Sequence, residues 1–337
     1  MVCETALHAG SGSDLGVVDL PIQRERHTSF PKIESSSLKG SLREAFENVL
    51  SEDDDDRTKI HLAFGYDDEK KNDNVKAFFA ECKQFQGAIG FTDARLLLFP
   101  VKSMRGVYAW ITSPKVLEQF RRDLSLNIVT VPDGKLKSIL QSNVPEIKSG
   151  ESLVSSSDLI VNAQEAVPAK KKIVLEEYSF KASVDTTYCK ALAETLAEWL
   201  FKNPAEGSQD IYAFWRKHIT SALVILHEDD FTDFVNLSTE VITRTKIDNA
   251  KGTVEDGALF TEEYLPAESI LYSLVFSGPV FLPDEKKKLF TNPESPSNSQ
   301  AETVLVTDFF ITNLPEVVQI GGNATLGKGL VRTIPIK

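Results

Sequence analysis

A chain of 337 residues can bury a sizeable core and has room for two domains or for one domain with large insertions. Its 37 Lys and Arg stand against 49 Asp and Glu, a formal net charge of -12, which excludes a protein that coats nucleic acid with its whole surface, because phosphate binding depends on clustered cations. Cys3, Cys82 and Cys189 are widely spaced with no CxxC pair, so neither a disulfide framework nor a zinc site is supported, and no apolar run reaches membrane-spanning length.

Residues 2 to 8 read as the end of a strand. The stretch that follows, HAGSGSDLGVVDLPIQRERHTSFPKIESSSLKGSLREAF, is a Gly-rich loop running into a helix. His8 and Asp19 bracket the loop, Gly10, Gly12 and Gly16 let the backbone come close to a ligand, and Ser36 and Ser37 offer N-caps to a helix that carries Lys39 and Arg43. From Ser36 to Leu50 the apolar residues Leu38, Leu42, Ala45, Phe46, Val49 and Leu50 recur at helical steps. A loop feeding basic residues at a helix start suits an anion.

Residues 51 to 74 are dominated by charge, with acidic residues from Asp53 to Asp56, and read as an exposed insertion. Leu96 to Val101 and Val107 to Thr112 look like adjacent strands, and Pro114 opens a helix through Leu124. Between about 127 and 170 brief apolar runs among Ser, Pro and Lys predict a long insertion or mobile connection. Ile173 to Val184 reads as a strand, Ala191 to Phe201 as a helix, and Ile211 to Leu226 as another helix; His218 and His227 have no partners at ligand spacing and read as structural. Residues 239 to 276 hold two extended runs, TEVITRTKID and ESILYSLVF, joined through Asn249 to Pro266, which predicts a projecting hairpin. Val317 to Ile320 is a strand before a second Gly-rich loop, and Leu330 to Ile336 closes the chain as a strand.

The basic surface is local. Residues 20 to 43 hold Arg24, Arg26, Lys32, Lys39 and Arg43 against Glu25 and Glu34, and residues 317 to 337 hold Lys328, Arg332 and Lys337 against no acid. Two glycine loops with cations at both ends invite one ligand. GSGSDLG at 10 to 16 has its third Gly one residue late for a dinucleotide fingerprint, and GNATLGK at 322 to 328 is followed by Gly329 where a phosphate loop needs Ser or Thr. What survives is backbone N–H groups offered to phosphates. Asp19 sits in the apolar run VVDLP, where a bare carboxylate is costly if buried and so is exposed or paired; its bland reading is a turn Asp before Pro21.

The run LHAGSGSDLGVVDLPIQRERHT, followed by SLKGSLR, resembles the start of the backbone subunit of type III-B CRISPR effector complexes, a RAMP-superfamily RNA-binding protein. Residues 88 to 111 and 239 to 266 resemble the same family, and GGNATLGKG at 321 to 329 is similar to the superfamily's Gly-rich loop. Against the family pattern the first strand is short, so a few N-terminal residues are expected to be missing or differently started. Periodicity by itself supports only an α+β class. The resemblance implies a single RAMP domain over 1–337, α+β with a ferredoxin-like, RNA-recognition-type core, interrupted by a charged insertion at 51–87, another at 127–170, and a β-hairpin thumb at 239–268.

It further implies a cytoplasmic effector complex whose copies stack along a guide RNA and cut complementary target RNA at regular intervals, a metal-dependent endoribonuclease in which the 2′-hydroxyl attacks the adjacent phosphate. Asp19 occupies the family's cleavage position, as holder of a divalent ion (Mg2+ or Mn2+) or as base, and His8 matches the motif His that orients Asp19 or protonates the leaving oxygen. Glu262 and Tyr264 match hairpin-base residues near the neighbouring subunit's active loop, while Glu263 points to the opposite face. Arg24, Arg26 and His27 lie in the RNA-facing loop; Lys39, Gly40 and Arg43, with Gly321, Gly322, Thr325, Gly327, Lys328 and Gly329, are the further RNA-binding positions. Expected partners are guide RNA, target RNA, further copies of the chain and other subunits of the complex. The alternatives are a non-catalytic guide-RNA-binding subunit and a solitary repeat-RNA processing nuclease, the second disfavoured by the long hairpin.

Overall fold

A computed structural model describes the chain apart from residues 15, 51–52, 68–72, 81–83, 127–141, 163–170, 205–206, 249, 283–287, 292–298 and 337. Cys82, Asn249, Lys337 and those parts of the expected insertions thus lie outside the described residues. The architecture is α+β. One large mixed sheet runs in the order Val317–Gln319, Leu330–Arg332, Val2–Cys3, Ile270–Tyr272, Ala94–Lys102, Tyr108–Thr112, Leu223–Leu226, Glu151–Val154, Tyr178–Val184, Lys171–Leu175 and Val161–Asn162, with Lys32–Ile33 also paired to Ala94–Lys102. All its pairs are antiparallel except Tyr108–Thr112 with Leu223–Leu226 and Glu151–Val154 with Tyr178–Val184.

The helix Ser35–Leu50 buries Leu38, Leu42 and Phe46, three of the positions its spacing marks out. Phe46 stacks on Phe310 of the helix Ser299–Asn313 at a centroid distance of 5.6 Å, so the two helices share one aromatic core. The acidic run at 53–56 is largely exposed, as expected, but it opens a helix whose later residues are buried, so the segment 51–74 is not exposed throughout. Asp53 caps the helix Asp54–Phe64 by accepting from the Asp55 amide, the next three carboxylates sit at the positive end of the helix dipole, and Ile60, Leu62, Ala63 and Phe64 are buried beyond them.

Two other expectations also change. Ile211 to Leu226 divides into a helix, Ala213–Ala222, and a fully buried strand, Leu223–Leu226, because a short apolar run at a helix end has no period of its own. Within 127–170, Glu151–Val154 is an interior strand of the sheet rather than part of a connection. His218 and His227 are placed as the structural reading requires: His218 stacks beside Phe214 and Tyr108, and the His227 ring accepts from the Asp229 amide at a helix start.

The hairpin is built from Glu240–Asp248 and Thr253–Tyr264, registered from Glu240 opposite Tyr264 to Asp248 opposite Thr253, with an irregularity between Thr245 and Ile247. Its second arm is therefore not ESILYSLVF. Ile270–Tyr272 belongs to the large sheet, and Val275–Ser277 pairs with Ile89–Phe91. The hairpin forms a separate two-stranded sheet, exposed along most of its length, and among its described side chains only Glu262, Glu263 and Tyr264 are buried in the body of the protein.

Candidate active site at the hairpin base

Val2–Cys3 lies between the strands at 270–272 and 330–332, so the first and last segments leave the sheet side by side. The two glycine loops consequently meet. The Gly322 amide donates to the His8 carbonyl at 2.9 Å, and the Gly329 amide donates to the Ala6 carbonyl at 2.9 Å. At Gly321 the backbone has φ of 80° and a Cβ would fall 2.2 Å from the His8 carbonyl oxygen, so only glycine permits this approach.

The segment from Asp19 to Ile22 runs beside the last residues of the hairpin strand. The Leu20 amide donates to the Thr261 carbonyl and the Glu263 amide to the Leu20 carbonyl, both at 3.0 Å. Asp19 itself is exposed, and its Oδ2 accepts from the Thr261 amide at 2.7 Å and from the Thr261 hydroxyl at 2.8 Å. The Asp19 amide donates back to the Thr261 Oγ1 at 2.9 Å. These bonds, the backbone one first and the hydroxyl second, hold the Asp19 carboxyl below the usual carboxylate range. Oδ1 receives no donor from another described residue, and that oxygen is open to a ligand.

Alternation along Thr253–Tyr264 puts Thr261 and Glu263 on one face and Glu262 and Tyr264 on the other. On the second face Glu262 is buried and accepts from the Tyr264 hydroxyl at 2.6 Å, Asn323 Nδ2 at 2.5 Å and Arg244 Nε at 3.1 Å, with His8 Nε2 at 3.7 Å. Burial alone raises its carboxyl pKa, but the bonds from Tyr264, Asn323 and Arg244 and the nearby His8 outweigh it and hold the group low. The Tyr264 oxygen accepts in turn from Arg244 at 2.6 Å and from Asn323 at 2.9 Å, and Lys328 Nζ stands 4.8 Å over its ring. His8 Nδ1 lies 2.7 Å from the Glu263 carbonyl and must be the donor there, since a carbonyl only accepts.

His8 and Asp19 do not pair with each other, so an orienting bond from His8 to Asp19 is not part of this chain's geometry. Arg24 is engaged internally, by Glu263 at 2.5 Å, Asn236 Oδ1 at 2.9 Å and the carbonyls of Ser29 and Val235, while Arg26 and His27 are exposed. Lys39 donates to the Ile89 carbonyl, and Arg43 binds Glu47, the Gly65 carbonyl and His61, so the ammonium and guanidinium groups are held by the protein; Gly40 is open. Thr325 and Gly327 are exposed on the C-terminal loop. Thr261, Arg244 and Asn323 escaped sequence reading. Arg244 stands on the strand facing Glu262 in a TRT run, a signal that becomes visible only once the hairpin register is known.

Among the described residues no group of three or more His, Cys, Asp or Glu side chains could hold a metal ion. A single carboxylate with one free oxygen fits a hard cation whose remaining ligands are water and substrate phosphate, the usual situation for Mg2+.

A model of the RAMP superfamily matches residues 1–332. A protein of Pyrococcus furiosus named CRISPR system Cmr endoribonuclease Cmr4 is 34% identical over 328 residues, covering 97% of this chain and 91% of the relative. The crystal structure of oligomeric Cmr4 from the same organism superposes with a TM-score of 0.63 at 28% identity, over 98% of this chain and 94% of that one. A cryo-EM structure of a type III-B Cmr-beta complex bound to cognate target RNA contains a chain of the same fold, with a TM-score of 0.65 at 21% identity over 98% and 93% of the two chains.

Proposed function

This chain belongs to the RAMP superfamily, and on that membership we propose that it is the repeating backbone subunit of a type III-B CRISPR ribonucleoprotein, an endoribonuclease that cleaves RNA complementary to a bound guide. The observation that carries the reading is the exposed Asp19 carboxylate, fixed through one oxygen at the base of a projecting hairpin and open at the other. Guide RNA, target RNA, further copies of the chain and other subunits are its partners.

RNA supplies the nucleophile. The 2′-hydroxyl forms a bond to the adjacent phosphorus, the bond to the 5′ oxygen breaks, and the leaving oxygen takes a proton from water, giving a cyclic phosphate and a 5′-hydroxyl. The strand must be bent until attacking and leaving oxygens are in line, so positioning is much of the catalysis. The hairpin, carrying exposed Val241, Leu259 and Phe260, is the element that displaces bases to allow this. Asp19 Oδ1 would take the 2′-hydroxyl proton, or would hold a divalent ion that would supply charge stabilisation at the phosphate. Glu262 and Tyr264 face away from the Thr261 side of their strand and are buried against Arg244 and Asn323, so they hold the base of the hairpin rather than touch the cut phosphate.

The test is assembly of the purified chain with guide RNA and the other subunits, followed by addition of complementary RNA with Mg2+ or Mn2+. Evenly spaced products are expected, and Asp19→Ala should strongly reduce them while target remains bound. Target binding without any cut by the unaltered chain would favour the non-catalytic guide-binding reading.

A further inference from the structure

Resting on the assignment of Asp19 to the cleavage step, we infer that the Thr261 hydroxyl is a positioning residue for that step: it locks one oxygen of the Asp19 carboxylate so that the other faces the RNA. The geometry is specific. Thr261 Oγ1 donates to Asp19 Oδ2 at 2.8 Å and accepts from the Asp19 amide at 2.9 Å, so this single oxygen is bonded to both the side chain and the backbone of Asp19. The Thr261 amide adds a third bond to the same Oδ2 at 2.7 Å, and the Thr261 carbonyl takes the Leu20 amide at 3.0 Å. Every polar group of Thr261 is therefore directed at Asp19 or its neighbour. An exposed Asp side chain would otherwise sample several rotamers, and a near-attack geometry is lost by displacements of about 1 Å.

The bond also joins the catalytic loop to the hairpin of its own chain. Glu263, two residues further on and on the same face, accepts from the Ile22 amide at 3.0 Å and from Arg24 and Thr239. The loop from 19 to 24 is thus pinned twice to the strand that leads into the hairpin, once at Asp19 and once past it. Load applied to the hairpin by an RNA duplex reaches the carboxylate through Thr261 and reaches the loop through Glu263.

The experiment uses the assembled complex, guide RNA and a complementary target. Thr261→Val keeps the β-branched shape and the amide but removes the hydroxyl; Thr261→Ser keeps the hydroxyl. Thr261→Val should lower the single-turnover cleavage rate roughly tenfold to a hundredfold with target affinity unchanged. Thr261→Ser should restore the rate to near the unaltered value. An unaltered rate in Thr261→Val would overturn the inference, and so would equal loss in both variants, which would point to packing alone. Asp19→Asn is run beside them: if it cuts like the unaltered chain, the assignment of Asp19 fails and this inference with it, whereas an inactive Asp19→Asn beside an unaffected Thr261→Val overturns only the role of Thr261.

Discussion

The two faces of the strand Thr253–Tyr264 carry carboxylates in opposite states at its base. Asp19, held against Thr261, is exposed, bonded through one oxygen and open at the other; Glu262, one residue along from Thr261, is buried and has three donors on its two oxygens. Burying a charge is tolerated only when it is fully paired, so Glu262 can be kept ionised only by Tyr264, Arg244 and Asn323. An exposed carboxylate pays little desolvation and can keep an unused oxygen for a ligand. The two carboxylates thus separate tasks: Asp19, on Thr261, is arranged to react, and Glu262 ties the hairpin to the glycine loop.

The sharpest way to break this contrast is to remove each carboxylate in turn. Asp19→Ala should lower cleavage by roughly two to four orders of magnitude, the span of a positioned acid or base, and leave the melting temperature almost unchanged, because no cavity opens. Glu262→Ala should do the reverse, costing about 3 kcal/mol in denaturant unfolding by stranding Arg244 and the Tyr264 hydroxyl, with a milder loss of cleavage. If Glu262→Ala left stability intact while cleavage vanished, the division between the faces would be wrong.

A pH titration sharpens the comparison. The folded-state pKa of Glu262 lies below its ordinary 4.5, so it contributes stability that is present above about 4.5 and is lost as pH falls through the depressed value. Glu262→Gln should therefore flatten the acid side of the stability profile. Asn323→Ala should have a smaller effect, about 1 kcal/mol, since Glu262 and Tyr264 keep each other and Arg244. The smallest effect belongs to the exposed pair beyond Arg24. Arg26→Ala should reduce the salt slope of RNA binding by about one unit and leave the cutting rate of bound target unchanged; filter binding over a salt series measures it.

How far these features were legible depended on how local their causes were. Asp19 stood out because a charge within VVDLP must be exposed or paired, and the helix Ser35–Leu50 because Leu38, Leu42 and Phe46 repeat at its period. The acidic run at 53–56 was legible as exposed but not as the start of a helix, since a helix N-terminus and a solvated loop have the same composition over four residues. Leu223–Leu226 was hidden inside a helix, being buried on both faces and so without alternation. The first arm of the hairpin was read correctly and the second displaced, because TVEDGALFTEEY is interrupted by Gly257 and shows little alternation until its end. Thr261 could not be found at all: its partner is 242 positions away, and only the pairing of the strand with the loop brings them together.

The placement of Val2–Cys3 has a consequence for synthesis on the ribosome. Both neighbours of this strand come from far downstream, at 270–272 and 330–332, and Asp19 finds its anchor only at residue 261. At about 5 to 20 residues per second the first strand waits roughly 15 to 70 s for its second neighbour. Contacts so distant along the chain close late, after the costly loop between them has been formed. A nascent chain that has not reached Thr261 therefore carries the carboxylate but not the bonds that aim it.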